Sequence, residues 1–361
     1  MRIARVFIVI SLALSLGLAM AGPGSTQAQA ADVIELRAAT YFANTHALCK
    51  QWEQFLKTVE KRCNGKVKIK LYAGGTLLKA KEIYDGVVKG VADLGMVMIG
   101  YTHGRFPEME LIELPHGYAS SVVSSHAAND FYHKFKPKEF NQTHLNYWFV
   151  SGPSVSILSK PVRTLAEFKG LKVRGTGRVG DTLKALGAVP QSTVAPEVYT
   201  AISRGVIDGI MWPYETLYGW KLADVAKYVT SCWQVGGVYA FYSTMNKKAW
   251  DKLPADVKKV FDETSKEWIQ KAAMTYLNSD VEGMKHGKKL GVKFIDLSPD
   301  QVKKWKDAIK PVIGSYVKQM VDKGYSKADM KARLDYLNQR IAYWSKWQKD
   351  QGIKSPTGGG M

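Results

Sequence analysis

Ile34-Glu35-Leu36-Arg37-Ala38-Ala39 alternates in the manner of a strand, and the order of elements after it decides the fold. Leu48, Trp52, Phe55, Leu56 and Val59 then recur at helical spacing, and Asn64-Gly65 ends that helix. Val67-Lys68-Ile69-Lys70-Leu71-Tyr72 is the next strand, and Gly74-Gly75 turns the chain into a helix carrying Ile83, Val87 and Val88. Asp93-Leu94-Gly95-Met96-Val97-Met98 is a third strand. Strand and helix in strict alternation predict an α/β fold with a parallel sheet. Such sheets bind ligands beyond the carboxyl ends of their strands, which singles out residues 40–46 and 99–105.

A second α/β unit is expected from about Asn146. Tyr147 to Val150, Ser154 to Leu158, Leu171 to Arg174 and Asp208 to Trp212 read as strands, with helices at 181–186 and 199–204. Val238-Tyr239-Ala240-Phe241-Tyr242 is a strong β run whose position suggests a crossing back to the first unit. The remainder is helical: residues 254–290, a helix opened by the capping-box spacing Ser298-Pro299-Asp300-Gln301, and residues 333–349. Residues 355–361 read as a frayed, disordered tail.

At the other end, Arg2 and Arg5 precede an almost wholly apolar run from Val6 to Ala19, and Ala28-Gln29-Ala30 offers small residues for cleavage. This is the pattern of a secretory signal peptide spanning 1–30, cut near Ala30. The apolar run falls short of the roughly 20 residues that span a bilayer, so no stable membrane insertion is expected. Export from the cytoplasm is the consequence.

With 46% hydrophobic and 23% charged residues the chain is ordinary globular material, long enough for two domains. Its formal charge of +19 becomes +17 without Arg2 and Arg5, a surplus that attracts anions. The lysines are spread along helical faces, and an exported protein rarely meets nucleic acid, so no nucleic-acid partner is expected.

Cys49, Cys63 and Cys232 cannot all pair within the chain. Cys49 and Cys63 flank one helix and would stand roughly 21 Å apart, beyond the reach of a disulfide. No Cys-x-x-Cys, His-Glu-x-x-His or calcium-loop pattern occurs, so no metal is expected. No Gly-x-Ser-x-Gly or nucleophile–histidine–acid pattern argues for an enzyme. Gly175-Thr176-Gly177-Arg178-Val179-Gly180 matches the dinucleotide pattern Gly-x-Gly-x-x-Gly. It lies mid-chain, opens a very short helix and sits in an exported protein; a loop with backbone room near a ligand is the better reading, and no cofactor is expected. Arg174 ends an apolar strand, where alternation can aim it into a cleft with Lys172 on the same face. Its planar fork suits a carboxylate. A surface arginine, or one paired with an acid, is the alternative.

Leu165-Ala166-Glu167-Phe168-Lys169-Gly170-Leu171-Lys172-Val173-Arg174 carries a resemblance. It continues through Ala185 to Pro190, Glu197 to Ile202, Gly205 to Gly209, Lys227-Tyr228-Val229, Met245 to Trp250 and Leu253-Pro254. The chain resembles the solute-binding proteins of tripartite ATP-independent periplasmic (TRAP) transporters, of the DctP type, over essentially its whole length after residue 30. The resemblance implies a two-domain periplasmic binding protein fold with a ligand cleft between domains and long helices spanning both. It places the first lobe at 31–150, the second at 151–237, and a crossing strand with spanning helices at 238–354. It also implies that the protein works in the periplasm, that Arg174 is the family's carboxylate-binding arginine, that the ligand is a small organic acid, and that TRAP membrane permease subunits are the partners.

Two departures from family members bear on the ligand. Ser154 stands where sialic-acid binders place a second arginine, and Trp212 where they place an asparagine. One charge fewer and one indole more suggest a monocarboxylate, aromatic or keto, although Trp212 can equally pack a hinge. Tyr41, Phe42, Tyr101, Tyr239 and Tyr242 can complete an aromatic pocket, and Glu215 can accept a hydrogen bond from a ligand amine or hydroxyl. A ligand-sensing subunit of a signalling receptor is the alternative function.

Overall fold

The computed structural model describes residues 33–357; the signal peptide expected at 1–30 lies outside them. Two sheets organise the chain, and each is mixed. The first comprises β1 (Ile34–Thr40), β2 (Val67–Tyr72), β3 (Leu94–Met98), β4 (Thr143–Val150) and β10 (Ala240–Asn246). Its strand order is β2-β1-β3-β10-β4. The second contains β5 (Val155–Leu158), β6 (Lys172–Arg174), β7 (Val189–Gln191), β8 (Gly209–Trp212), β9 (Tyr228–Ser231) and β11 (Lys293–Asp296). Its order is β11-β9-β5-β8-β6-β7.

The parallel expectation holds for β1 with β2 and β3, and for β6 with β7 and β8. It fails where the chain changes sheets. β10 returns antiparallel to β3 and β4, and β5 runs antiparallel to β8 and β9. Tyr147 to Val150 also belongs to the first sheet, not to a second unit: Val150 pairs Ala240 and Phe149 pairs Phe241. Periodicity identifies a strand but not its partner.

The crossings are laced to one another. Residues 151–154 leave the first sheet and 232–239 return to it, and Ser151 N–H donates to the Tyr239 carbonyl at 3.0 Å. Tyr239 N–H donates back to Ser151 Oγ at 2.9 Å, and Ser154 N–H donates to the Gly237 carbonyl at 3.0 Å. Exchanged bonds of this kind satisfy backbone that belongs to neither sheet and set the relation of the two domains.

Helix Ala255–Lys289 has 35 residues, a length of about 52 Å, and reaches both domains. At one end Trp268 Nε1 donates to Gln51 of helix Ala47–Arg62. At the other, a side chain at Gly283 would come within 2.1 Å of the Tyr214 carbonyl, so only glycine lets that backbone lie against the helix. Helix Pro299–Asp322 begins at the Ser298 cap, whose Oγ accepts from Gln301 N–H at 3.3 Å. The Gln301 side chain leaves the expected capping box and accepts from Leu165 N–H instead. Helix Lys327–Asp350 starts earlier than expected because Ser326 caps it. The frayed-tail expectation fails through Thr357: Ser355 and Thr357 are buried, and Thr357 Oγ1 donates to the Ala119 carbonyl at 3.1 Å. Among the described residues no helix is long and apolar enough to cross a membrane.

Candidate ligand site

β6 is three residues long and lies between β8 and β7. Its last residue, Arg174, is fully buried, while Lys172 is exposed and does not share its environment. Arg174 Nε donates to the Thr193 carbonyl at 3.0 Å, which fixes the plane of the guanidinium. Neither Nη1 nor Nη2 makes a hydrogen bond to the described residues, carboxylates included. A buried guanidinium without its partners is costly, and structures retain one where a ligand supplies them.

Aromatic rings surround it. On neighbouring β8, Ile210 stands opposite Arg174, and Trp212 emerges two residues on, on the same face. The guanidinium carbon lies 4.1 Å from the Trp212 ring centre and 5.4 Å from that of Tyr239. Tyr239 is held by its hydroxyl, which donates to the Met211 carbonyl at 2.8 Å. Trp212 is nearly parallel to Trp220, with centres 6.0 Å apart, and Trp220 nearly parallel to Tyr41 at 6.3 Å. Phe42 stacks on Tyr41 at 4.3 Å, and Tyr101 meets Tyr41 edge-on at 5.3 Å. The Tyr101 hydroxyl accepts from Ala195 N–H at 2.9 Å. Burial pushes its phenol up, and the Arg174 cation pulls it partly back.

Tyr41 and Phe42 come from the loop after β1, and Tyr101 from the turn after β3, the two loops that strand order singled out. Trp212 and Arg174 come from strand ends of the second sheet, so the cluster lies between the domains. Two cavities lie at its margins, and neither is lined by Arg174 or Trp212. One of 570 Å³ is bounded by Tyr41, Gly74, Lys79, Val194 and Pro196, and one of 920 Å³ reaches His46 and Glu215. The Nε1 groups of Trp212 and Trp220 and the hydroxyls of Tyr41 and Tyr276 have no partner among the described residues. The site is therefore rich in buried donors, carries one buried cation, Arg174, and has apolar walls. That composition suits an anion with an apolar body.

Comparison with known proteins identifies the family. The profile of bacterial extracellular solute-binding proteins, family 7 (DctP), matches residues 38–319. The chain belongs to the DctP family of TRAP solute-binding proteins. A solute-binding protein of Albidiferax ferrireducens is 29% identical over 264 residues, 70% of this chain and 76% of the relative. The crystal structure of a TRAP periplasmic solute-binding protein from Desulfovibrio salexigens, an open complex, is similar with a TM-score of 0.76. It is 32% identical, and the match covers 90% of this chain and 99% of that one. A TRAP solute-binding protein from Rhodoferax ferrireducens, solved with copurified benzoate, has a TM-score of 0.82 at 25% identity, covering 87% and 99%. Members of the family are substrate-binding transport proteins of the extracytoplasmic space.

In this DctP-type protein, Arg174, Trp212, Tyr239, Tyr41, Phe42 and Tyr101 come together as one cluster, and Glu215 borders it through His46. Two expected residues do not join. The Ser154 hydroxyl donates to the Gly237 carbonyl at 2.8 Å and serves the crossing. Tyr242 faces the other side of β10, against Tyr84, Phe106, Phe140 and Trp148. Thr193, Trp220, His46 and Tyr276 were not foreseen. Trp220 lies in a short irregular segment where no periodicity assigns a face; the others are a carbonyl, a helix cap and the one tyrosine of a long helix. Of the three glycines in Gly175 to Gly180, Gly177 lies against Gly100 and Glu113 of the first domain, while Gly175 and Gly180 pack within their own domain.

Proposed function

We propose that this protein captures an aromatic monocarboxylate in the periplasm and delivers it to a TRAP membrane permease. The observation that carries the reading is the Arg174 guanidinium, buried over Trp212 with two unpaired nitrogens. Two parallel N–H···O bonds to one carboxylate satisfy both nitrogens at once. The single cation matches one carboxylate; a second would have to be desolvated without a partner. The walls formed by Trp212, Trp220, Tyr41 and Phe42 favour a flat apolar body, and the benzoate held by the Rhodoferax ferrireducens relative supports that choice.

Capture needs no chemistry. The positive surface raises the local anion concentration. Arg174 fixes the carboxylate, the rings bury the rest, and the ligand stabilises the closed arrangement of the domains by its differential affinity for it. The permease then reads the closed shape. Isothermal calorimetry with benzoate tests the reading. Arg174→Lys keeps the charge but loses the fork and the bond to Thr193, and should weaken binding by about 100-fold or more. Near-native affinity in that variant, or no binding of any aromatic acid by the native protein, removes the reading.

A further inference from the structure

Arg174 has a counterpart at the other end of the ring cluster. Glu215 is only 2% exposed and comes three residues after Trp212, so at most about 11 Å separates their Cα atoms. Its backbone N–H donates to Asp280 Oδ1 at 2.9 Å, which anchors it to helix Ala255–Lys289. His46 Nε2 lies 3.5 Å from its carboxylate, beyond a good hydrogen bond. His46 Nδ1 already accepts from Leu48 N–H at 3.2 Å as the helix cap, so its Nε2 carries the proton.

The same end holds unpaired polar atoms that the anion site does not use. The Tyr276 hydroxyl, the Trp220 Nε1 and His46 Nε2 are buried without hydrogen-bond partners among the described residues. Burial raises the Tyr276 phenol well above its usual range, and Glu215 adds to that rise more than any other charge; Tyr41 feels burial, then Tyr101, and Glu215 more weakly. Burial also holds the Asp280 carboxyl well above the carboxylate range, and its Oδ1 is already taken by the Glu215 N–H. Between the two ends stand the near-parallel rings of Trp212 and Trp220, with Trp220 5.1 Å from His46. Trp212, Glu215 and Trp220 lie within nine residues of chain, and the sheet brings Arg174 of β6 against Trp212.

Resting on the aromatic-acid reading, we propose that Glu215 is a specificity-determining residue that selects ring acids bearing a hydrogen-bond donor, a hydroxyl or amine, remote from the carboxylate. A donor meets the Glu215 carboxylate, while the Tyr276 hydroxyl and Trp220 Nε1 donate to the same substituent oxygen. A methyl group in its place leaves these groups unpaired, and a second carboxylate is repelled by Glu215.

The test is a calorimetric series on the intact protein with benzoate, meta- and para-hydroxybenzoate, para-methylbenzoate and terephthalate. At least one hydroxybenzoate should bind about tenfold or more tighter than the methyl analogue, as expected for a hydrogen bond to a charged group, and terephthalate should bind worst. In Glu215→Gln the hydroxyl-to-methyl ratio should fall toward one. Equal affinities for hydroxyl and methyl acids in the native protein overturn the proposal while leaving the aromatic-acid reading intact. So does a ratio that survives Glu215→Gln, which would assign the residue to His46 alone. Absence of binding by every acid in the series overturns the underlying reading instead.

Discussion

Gly100 and Gly177 bring the two domains into backbone contact: a side chain built on Gly177 would lie 3.0 Å from the Gly100 Cα. The same atom would come within 2.2 Å of Glu113 Oε2, and Gly177 has a φ of +59°. Beside it, Arg178 forms a buried ion pair with Glu110 at 2.8 Å. The Gly-x-Gly-x-x-Gly segment is thus a place where the second domain lies flush on the first. Close approach of main chain to the first domain is what Gly177 provides.

Gly177→Ala is therefore expected to destabilise the closed arrangement by about 1–3 kcal/mol, from backbone strain and the clash together. Urea denaturation with and without benzoate measures it. An alanine variant as stable as the native protein in both conditions would show that this contact does not hold the domains together.

Glu113 links the same region to pH. Its oxygens accept from Ala240 N–H and Arg178 N–H, each at 3.2 Å, and burial, with Glu110 close by, pushes its carboxyl up to about 8. Burial likewise pushes Glu139 up to about 8. An acid raised above its ordinary value of 4.5 keeps its proton in the fold when the unfolded chain has lost it. Stability from this source is full below that value and is lost as pH rises toward 8. Buried His116 and His144, lowered to about 4, act oppositely but only below 6.5. Stability should thus fall from pH 6.5 to 8, with Glu113 contributing a slope of up to about 1.4 kcal/mol per pH unit. Glu113→Gln should flatten the slope in a urea-denaturation series, although its amide can accept only one of the two N–H groups. An unchanged slope would place the Glu113 proton elsewhere.

The sequence showed strands and helices well where one face is buried, since alternation and helical spacing report burial. Partner choice was not legible. Tyr147 to Val150 went to the second unit because its pairing with β10 joins residues some ninety positions apart, and nothing local records that. Tyr242 is different, because the signal was present. Alternation puts Tyr239 and Phe241 on one face of the crossing strand and Tyr242 on the other, so the two tyrosines could not share a pocket. Arg174, Trp212 and Tyr41 were readable as strand-end and loop residues. Trp220 was not, because only the fold brings its short turn between Trp212 and Tyr41.

Tyr242→Phe is accordingly expected to leave ligand affinity unchanged. Its hydroxyl is buried without a partner among the described residues, so its removal should be neutral or slightly stabilising. Calorimetry and a melting curve on this variant check both halves. A large loss of benzoate affinity would return Tyr242 to the site.

Trp212→Ala should separate ligand walls from hinge packing. If the indole faces the ligand, benzoate should lose about tenfold more affinity than propionate, which has no ring to stack. Trp212→Phe should recover much of the difference. Equal losses for both acids would mean that the indole acts by supporting the domains and the guanidinium above it.

Arg174 itself should act against stability when no ligand is bound. The guanidinium is fully buried, holds one hydrogen bond to Thr193 and leaves Nη1 and Nη2 unpaired. Stacking on Trp212 returns on the order of 2 kcal/mol, less than the several kcal/mol it costs to take an ion from water without its partners. Methionine has similar reach and no charge. Arg174→Met should therefore raise the melting temperature of the ligand-free protein by several degrees and abolish the further rise that benzoate gives the native chain. This is the trade expected where a binding group is kept in spite of its effect on the fold. A ligand-free variant that melts at or below the native temperature would mean that the domains part and hydrate the guanidinium before ligand arrives.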